Sequence, residues 1–402
     1  RQIGKTHTLL EFGKRHYGNV VYLVFENNER LREIFGADCD VNRIITGLEA
    51  FSRQTISKEN TLIIFDEIQA CEAALTSLKY FCENAREYHI ACAGSLLGLA
   101  VNRGKYSFPV GKVDLLHMYP MNFEEFLTEV NPYMIPLIRK SYESDSQFAL
   151  HEQALELYRT YLVVGGMPEV VSKYIETKDF DYTKVKQFSI FETYIADMAK
   201  YATGAEYLRH KETYNSIPYQ LAKENKKFQF NLIQSGARSK NYADSLLWLQ
   251  AANIVLQCTK VREGKHPLAF YADALSYKIY MSDVGLLTAK SEYSPASIIA
   301  DINLGGEAKG ALCENYVAQE LTANGHALYY WESQGTAEVD FILQKDGKVI
   351  PAETKAAEHV KAKSLNQFVK KYDIEYSIRI SAKNFGFENN IKSVPLYAVF
   401  CI

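Results

Sequence analysis

Two short groups of residues near the start of the chain have the types and the spacing that phosphate chemistry requires. Gly4-Lys5-Thr6 is the end of the pattern GxxxxGK[ST], in which backbone amides surround phosphate oxygens, the lysine contacts the β- and γ-phosphates, and the hydroxyl binds Mg²⁺. Asp66 and Glu67 directly follow four apolar residues, at the carboxyl end of a predicted buried strand. There Asp66 can hold the metal ion and Glu67 can activate a water. The sequence therefore predicts an ATP and Mg²⁺ site.

Two other interpretations stay open at this end of the chain. Asp66 and Glu67 could simply cap the helix that follows them. Ser95 ends the next predicted strand, where we expect it to contact the γ-phosphate, although a serine in an ordinary turn fits the sequence equally well. We include Ser95 among the predicted nucleotide-binding residues.

A second group of charged residues, near the other end of the chain, has the order E…D…ExK. Glu353 and Lys355 are two apart on a predicted strand, so their side chains share a face. Asp340 starts the preceding strand, and the turn at Asp346-Gly347 folds the two strands together, while Glu314 lies on a helix upstream. Carboxylates beside a lysine suit Mg²⁺ and a water that attacks a phosphodiester. We predict Glu314, Asp340 and Glu353 as metal ligands, and Glu353 and Lys355 as catalytic; structural ion pairs are the alternative.

The elements that must position these groups divide the chain into three predicted regions, 1–130, 131–290 and 300–402. The first contains nearly continuous apolar strands that alternate with helical patterns, which indicates a parallel sheet buried on both faces. Those strands are Gly18–Glu26, Asn60–Asp66 and His89–Ala93. The second region is mostly helical, and the third is an α/β unit.

Within the helical region, residues 211–265 resemble a winged helix. Two short helical segments, Ile217–Asn225 and Phe230–Gln234, precede a longer helix from Ser239 to about Ala252, and the apolar run Ile254–Leu256 follows. Tyr219 and Tyr242 are interleaved with basic residues: Lys223, Lys226, Lys227, Arg238, Lys240, Lys260 and Arg262. DNA or RNA is therefore a candidate partner of this segment, and the alternative is a solvated face on a packing module.

Composition excludes several other classes of protein. The chain has 402 residues, 47% of them hydrophobic and 23% charged, which is globular usage rather than that of a disordered chain. The formal net charge of −3 gives no global basic field. No run of 18 apolar residues occurs, so we expect no membrane span. The seven cysteines form no CxxC pair, which favours reduced thiols in the cytoplasm. Because residue 1 is Arg and a motif begins at once, we expect an N-terminally shortened chain.

A series of motifs along the whole chain resembles one family. RQIGKT, IIFDEIQ, AGSLLG, YPMNFEEF, GGMPEVV, SDVGLL and ENYVAQEL occur in this order. Together they are similar to the prokaryotic AAA-type ATPases that join a P-loop domain to a C-terminal domain of unknown function. The resemblance implies that Lys5, Thr6, Asp66 and Glu67 bind nucleotide and magnesium, and that the C-terminal domain has a PD-(D/E)xK nuclease-like fold.

The chain departs from this family at one position. The family often has Gly-Arg where Gly111-Lys112 stands here, and a lysine cannot make the planar forked contact of an arginine. Arg103 is only a weak substitute as an arginine finger.

The predicted fold class is therefore α/β: a P-loop NTPase parallel sheet, then a helical and winged-helix region, then a C-terminal α/β nuclease-like domain. The predicted function is ATP binding and hydrolysis, with nucleic-acid binding or cleavage as a coupled activity. The alternative is a nucleotide-binding interaction or defence protein whose nuclease-like domain is inactive. The oligomeric state is open, and a homo-oligomer is one candidate.

Overall fold

The computed structural model describes residues 2–94, 109, 111–301, 306–335, 337–356 and 363–402. The chain forms two units, Arg1–Met118 and Tyr119–Ile402. The first unit ends before residue 130, our predicted boundary, and the predicted regions 131–290 and 300–402 lie in one unit. No helix in the described part of the chain is both long and apolar enough to cross a lipid bilayer.

The first unit is built on a parallel sheet of three strands, as the apolar runs predict. The strand order is β1-β2-β3, and the strands are Asn19–Val24 (β1), Thr61–Asp66 (β2) and His89–Ala93 (β3). All six residues of the central strand β2 are buried, which explains its uninterrupted apolar run. The helices of this unit are Lys5–His16 (α1), Glu29–Gly36 (α2), Val41–Ser52 (α3) and Glu72–Asn84 (α4).

Three phenylalanines fix the end of β2 in the core of this unit. The rings of Phe25, Phe35 and Phe65 contact one another edge to face, with centroids 5.3–5.5 Å apart. Phe65 immediately precedes Asp66, so this packing holds the carboxyl end of β2 in place. The position of Asp66 therefore follows from the core beside it.

The second unit begins with a helical half. Its helices are Phe123–Val130 (α5), Met134–Ser144 (α6), His151–Val164 (α7), Pro168–Thr177 (α8), Phe180–Tyr201 (α9), Gly204–Leu221 (α10), Ser239–Ala251 (α11), Val284–Lys290 (α12) and Pro295–Ile299 (α13). The strands Val255–Val261 (β4) and Ala272–Met281 (β5) lie between α11 and α12 and pair in antiparallel fashion.

The segment 211–265 matches the sequence prediction at its end and differs at its start. Helix α11 and strand β4 lie where we expected a long helix and an apolar run. The predicted helix Ile217–Asn225 is helical only as far as Leu221, and its predicted start is wrong, because these residues are the last turns of α10, which begins at Gly204 and runs through Pro218. The second predicted helix is a single 3₁₀ turn, Phe230–Leu232.

The second unit ends in mixed α/β structure around two sheets. The remaining elements are helices Gly306–Ala323 (α14) and Lys363–Tyr372 (α15), and strands Tyr329–Glu332 (β6), Glu338–Val339 (β7), Phe341–Lys345 (β8), Lys348–Thr354 (β9), Ser377–Ser381 (β10), Gly386–Glu388 (β11) and Ile391–Pro395 (β12). One sheet has the order β5-β4-β6-β7, and the other has the order β11-β12-β10-β9-β8. Strands β8 and β9 are antiparallel, whereas β9 and β10 are parallel.

The turn between β8 and β9 confirms a specific sequence signal. Asp346 and Gly347 both have positive φ angles, 51° and 76°, which a tight turn matched to strand twist requires. Lys345 consequently pairs with Lys348, and Phe341 pairs with Ala352 farther along. Asp340 and Glu353 are the next positions on the two strands, and the hairpin register thus brings them side by side.

Candidate functional site

The first candidate site begins at the amino end of α1. Gly4 is the residue before this helix and has φ 81°, a left-handed conformation that glycine adopts without strain. The helix begins at Lys5, and no acidic residue occupies its first turn. The first amides of a helix have no partner within it and carry a partial positive charge, so this end of α1 is suited to a phosphate.

Asp66 and Thr6 are in direct contact at this site, although 60 positions separate them in the chain. The Thr6 hydroxyl donates a hydrogen bond to Asp66 Oδ2 at 2.8 Å. The backbone N–H of Glu67 donates to Asp66 Oδ1 at 3.0 Å, which fixes the other oxygen. A hydroxyl and a carboxylate side by side are oxygen ligands of the kind that Mg²⁺ takes.

Glu67 follows β2 in an unusual backbone conformation. Its φ is 50° and its ψ is 41°, which is uncommon for a residue other than glycine and recurs at functional sites. Its carboxylate accepts a hydrogen bond from Gln69 Nε2. Glu67 thus follows Asp66 directly in the chain, and the hydrogen bond from Gln69 orients its carboxylate.

Tyr22 is a member of this site that the sequence reasoning missed. Its hydroxyl donates to Asp66 Oδ2 at 2.7 Å, the same oxygen that Thr6 contacts. Burial and the hydrogen bond to Asp66 raise the pKa of Tyr22 to about 12, so the phenol keeps its proton. The available signal was a tyrosine within the apolar run NVVYLV of β1, the strand beside β2.

We expect Tyr22→Phe to weaken the response of this site to Mg²⁺. The substitution removes one of the groups that orient Asp66, and loss of a residue supporting a metal ligand typically costs about tenfold in metal affinity or activity. The measurement is the Mg²⁺ concentration for half-maximal ATP hydrolysis. Tyr17→Phe is a matched control, because Tyr17 bonds His89 at 2.9 Å instead. Equal Mg²⁺ requirements in both variants would remove Tyr22 from the site.

Three further residues were candidates at the nucleotide site: Ser95, Arg103 and Lys112. Ser95 and Arg103 lie outside the described residues. Lys112 Nζ lies 3.0 Å from Glu83 on α4, so its ammonium forms an ion pair within the first unit. The described residues thus bring together Thr6, Asp66 and Glu67 near the start of α1.

The second candidate site lies at the end of the β8–β9 hairpin. Asp340 Oδ2 accepts a hydrogen bond from the backbone N–H of Thr354 at 2.8 Å. Lys355 Nζ lies 3.0 Å from Glu353 Oε1, and Glu353 Oε2 is buried without a hydrogen-bond partner among the described residues. The structure therefore brings Asp340, Glu353 and Lys355 together, as the register requires.

Glu314, the third predicted ligand, already has hydrogen-bond and ion-pair partners, and the sequence did not predict these contacts. Its Oε1 accepts from Lys278 Nζ at 2.9 Å and from the Tyr280 hydroxyl, while Lys226 Nζ contacts Oε2. Burial alone would raise the pKa of Glu314, but Lys226 and Lys278 hold it well below its usual range. Glu314 is thus a permanently ionised partner of two ammonium groups.

Asp340 has the opposite electrostatic environment. Burial, and then the negative charge of Glu314, raise the pKa of Asp340 to about 7. Lys278 Nζ lies 4.0 Å from Asp340 Oδ1 and also contacts Glu338. Across the ranges that the structure describes, no group of three or more His, Cys, Asp or Glu side chains is arranged to hold a metal ion.

The candidate nucleic-acid face on α11 is exposed on one side. Tyr242, Leu246 and Leu249 are buried, whereas Lys240 and Asn241 face solvent. The two interleaved tyrosines bond inward, since Tyr242 donates to Glu212 and Tyr219 donates to the backbone of Leu232. Two of the predicted cations are also used internally, in the pairs Lys226–Glu314 and Lys260–Glu332.

Three parts of the chain match family models. Residues 1–127 match the family model of an AAA domain, and residues 155–297 and 309–399 match two domains of unknown function, DUF8612 and DUF4143. A solved structure, the Walker-type ATPase of Pyrococcus abyssi, has 13% identity and a TM-score of 0.45, covering 72% of this chain and 88% of that chain. Curated proteins show no significant match. With the Thr6–Asp66 contact, the AAA-domain match supports a P-loop AAA-type ATPase domain at the start of the chain.

Proposed function

We propose that the first unit binds ATP with Mg²⁺ and hydrolyses it. One observation carries this proposal: the Thr6 hydroxyl at the start of α1 lies 2.8 Å from the Asp66 carboxylate at the end of β2. A helix start suited to phosphate and a pair of oxygen ligands for magnesium therefore occupy one edge of the parallel sheet.

Each residue at this edge has a distinct part in the proposed reaction. Gly4 allows the backbone amides to approach the phosphates, and the Lys5 ammonium neutralises phosphate charge. Thr6 and Asp66 would hold Mg²⁺, which when bound offsets the negative charge of the phosphate oxygens. Glu67 orients the attacking water and takes its proton. We retain Ser95 as a candidate contact to the γ-phosphate.

A second candidate function is DNA or RNA binding by the second unit. It rests on the exposed first turn of α11, where Arg238, Lys240 and Asn241 face solvent at the amino end of a helix. Such a turn can meet phosphates and base edges. The hairpin β4–β5 directly after α11 is compatible with the predicted winged helix.

Nucleic-acid cleavage is less well supported than binding. Asp340, Glu353 and Lys355 are adjacent, but Glu314 is already neutralised by two lysines. This arrangement favours the alternative of a nuclease-like domain without cleavage activity.

The seven cysteines are free, which supports a cytoplasmic location, and a homo-oligomer stays part of the proposal.

The ATP proposal is tested by Lys5→Ala. Loss of a charge-assisted phosphate contact should cost about 1.5–3 kcal/mol of binding free energy, which weakens ATP about 10- to 150-fold. Calorimetric titration with ATP and Mg²⁺ measures the change. Lys14→Ala is the control, because Lys14 lies on the same helix and pairs with Glu11. Equal ATP affinity in the two variants would contradict the assignment.

A further inference from the structure

Four carboxylates of the second unit lie close together, and we call them the C-terminal cluster: Glu314, Glu338, Asp340 and Glu353. A lysine lies among them, where a metal ion would be expected. Lys278 comes from β5, and its side chain is only 1% exposed. Its Nζ lies 2.9 Å from Glu314 Oε1 and 4.0 Å from Asp340 Oδ1, and it contacts Glu338 as well. One ammonium therefore faces three carboxylates.

A divalent cation that bridged Glu314 and Asp340 would compete with this ammonium for the same space. Mg²⁺ and Ca²⁺ lie about 2.0–2.6 Å from their oxygen ligands. Such a cation would lie next to the Lys278 Nζ, which is 2.9 Å from Glu314 Oε1 and 4.0 Å from Asp340 Oδ1, and two adjacent cations repel strongly in a buried site. Lys278 cannot turn away into solvent, because the surrounding residues bury it.

The other carboxylates of the cluster offer no better place. A cation on Asp340 and Glu353 alone would face Lys355 at 3.0 Å from Glu353 and Lys278 at 4.0 Å from Asp340. Lys226 supplies a third ammonium at Glu314. Three ammonium groups thus balance most of the negative charge of the four carboxylates: Glu314, Glu338, Asp340 and Glu353.

We propose that Lys278 is the resident cation of this cluster, and that the cluster binds no divalent metal while Lys278 is present. The residues present therefore do not fit the metal that a nuclease-like fold implies. The ion pairs instead connect β5 to α14, to β7 and to Asp340, the residue just before β8. This inference concerns the second unit and is independent of the proposed ATPase.

The test is to count Mn²⁺ bound to the full chain without nucleotide, by electron paramagnetic resonance. Every variant carries Asp66→Asn, so that the first unit does not contribute. With Lys278 present we expect no bound Mn²⁺ at the cluster. Lys278→Met should gain about one Mn²⁺ per chain, and Mn²⁺ should then raise its unfolding midpoint, since a ligand of the native state stabilises it.

Two further variants make the result decisive. Lys260→Met breaks the Lys260–Glu332 pair and should gain no Mn²⁺. Where Lys278→Met alone does not fold, adding Glu338→Gln removes one of the unpaired carboxylates, and the same gain is expected. Mn²⁺ binding in the presence of Lys278 that Glu314→Gln or Asp340→Asn abolishes would overturn the proposal. A folded Lys278→Met protein that gains no Mn²⁺ would overturn it too.

Discussion

Glu67→Gln should reduce ATP hydrolysis by about 10²–10⁴-fold while ATP affinity changes little. The amide cannot accept a proton from the attacking water, but its size and its position after β2 are the same. The left-handed backbone of Glu67 and the hydrogen bond from Gln69 orient its carboxylate, as the proposed role requires. The measurement is the steady-state turnover of ATP together with the dissociation constant for ATP in the presence of Mg²⁺.

The matched control for Glu67→Gln is Glu72→Gln. Glu72 is exposed in the first turn of α4, only a few residues beyond the site, and its substitution should leave turnover unchanged. Full turnover in the Glu67→Gln protein would assign the base to another residue. Loss of ATP affinity, rather than of turnover, would mean that Glu67 binds the nucleotide.

The first unit was predictable in outline because its signals are local. Continuous apolar runs place β1, β2 and β3 within two residues of their observed bounds, since strands buried on both faces need no alternation. The sequence could predict that Thr6 and Asp66 are neighbours, because the motif that contains each of them is expected to bind the same Mg²⁺. Tyr22 has no such pattern, so only the register of β1 beside β2 reveals it.

In the C-terminal cluster, local sequence signals predict some of the contacts and miss others. The turn at Asp346-Gly347 predicts the hairpin, and the hairpin register predicts that Asp340 and Glu353 are neighbours. Lys226 and Lys278 lie 88 and 36 positions from Glu314, on elements whose packing no local periodicity encodes. These tertiary contacts place two ammonium groups at Glu314, and a local pattern in the sequence could not predict them.

Helix α10 illustrates the opposite kind of error, in which a local signal is overridden. The sequence interpretation begins a helix at Ile217, and Pro218, which lacks an N–H, is of the type that fits the first turn of a helix. The structure continues α10 from Gly204 through Pro218. Tyr214, Ile217 and Leu221 are all buried on this helix, and their burial offsets the cost of an interior proline.

Three of the motifs meet in the second unit, namely YPMNFEEF, GGMPEVV and SDVGLL, and Gly166 is at the point of contact. Asp283 is buried at the amino end of α12, where it accepts from Leu286 N at 2.8 Å and from Gly166 N at 2.6 Å. The Gly166 carbonyl accepts from Met121 N at 2.7 Å. A Cβ on Gly166 would lie 1.9 Å from the Met121 carbonyl oxygen. These motifs thus pack against one another at Gly166.

Gly166→Ala should lower the free energy of unfolding of the second unit by about 3 kcal/mol, because the added methyl group meets the Met121 backbone, whose N–H donates to Gly166 and whose carbonyl accepts from the Tyr161 hydroxyl. Both tryptophans, Trp248 and Trp331, are buried in the second unit, so their fluorescence during denaturant unfolding reports on this unit. Gly310→Ala is the control: none of the described residues lies within 4 Å of a Cβ there, and alanine favours the helical position by up to about 1 kcal/mol. Equal unfolding midpoints for the two variants would mean that the backbone around Met121 yields, and that Gly166 does not determine how these motifs pack.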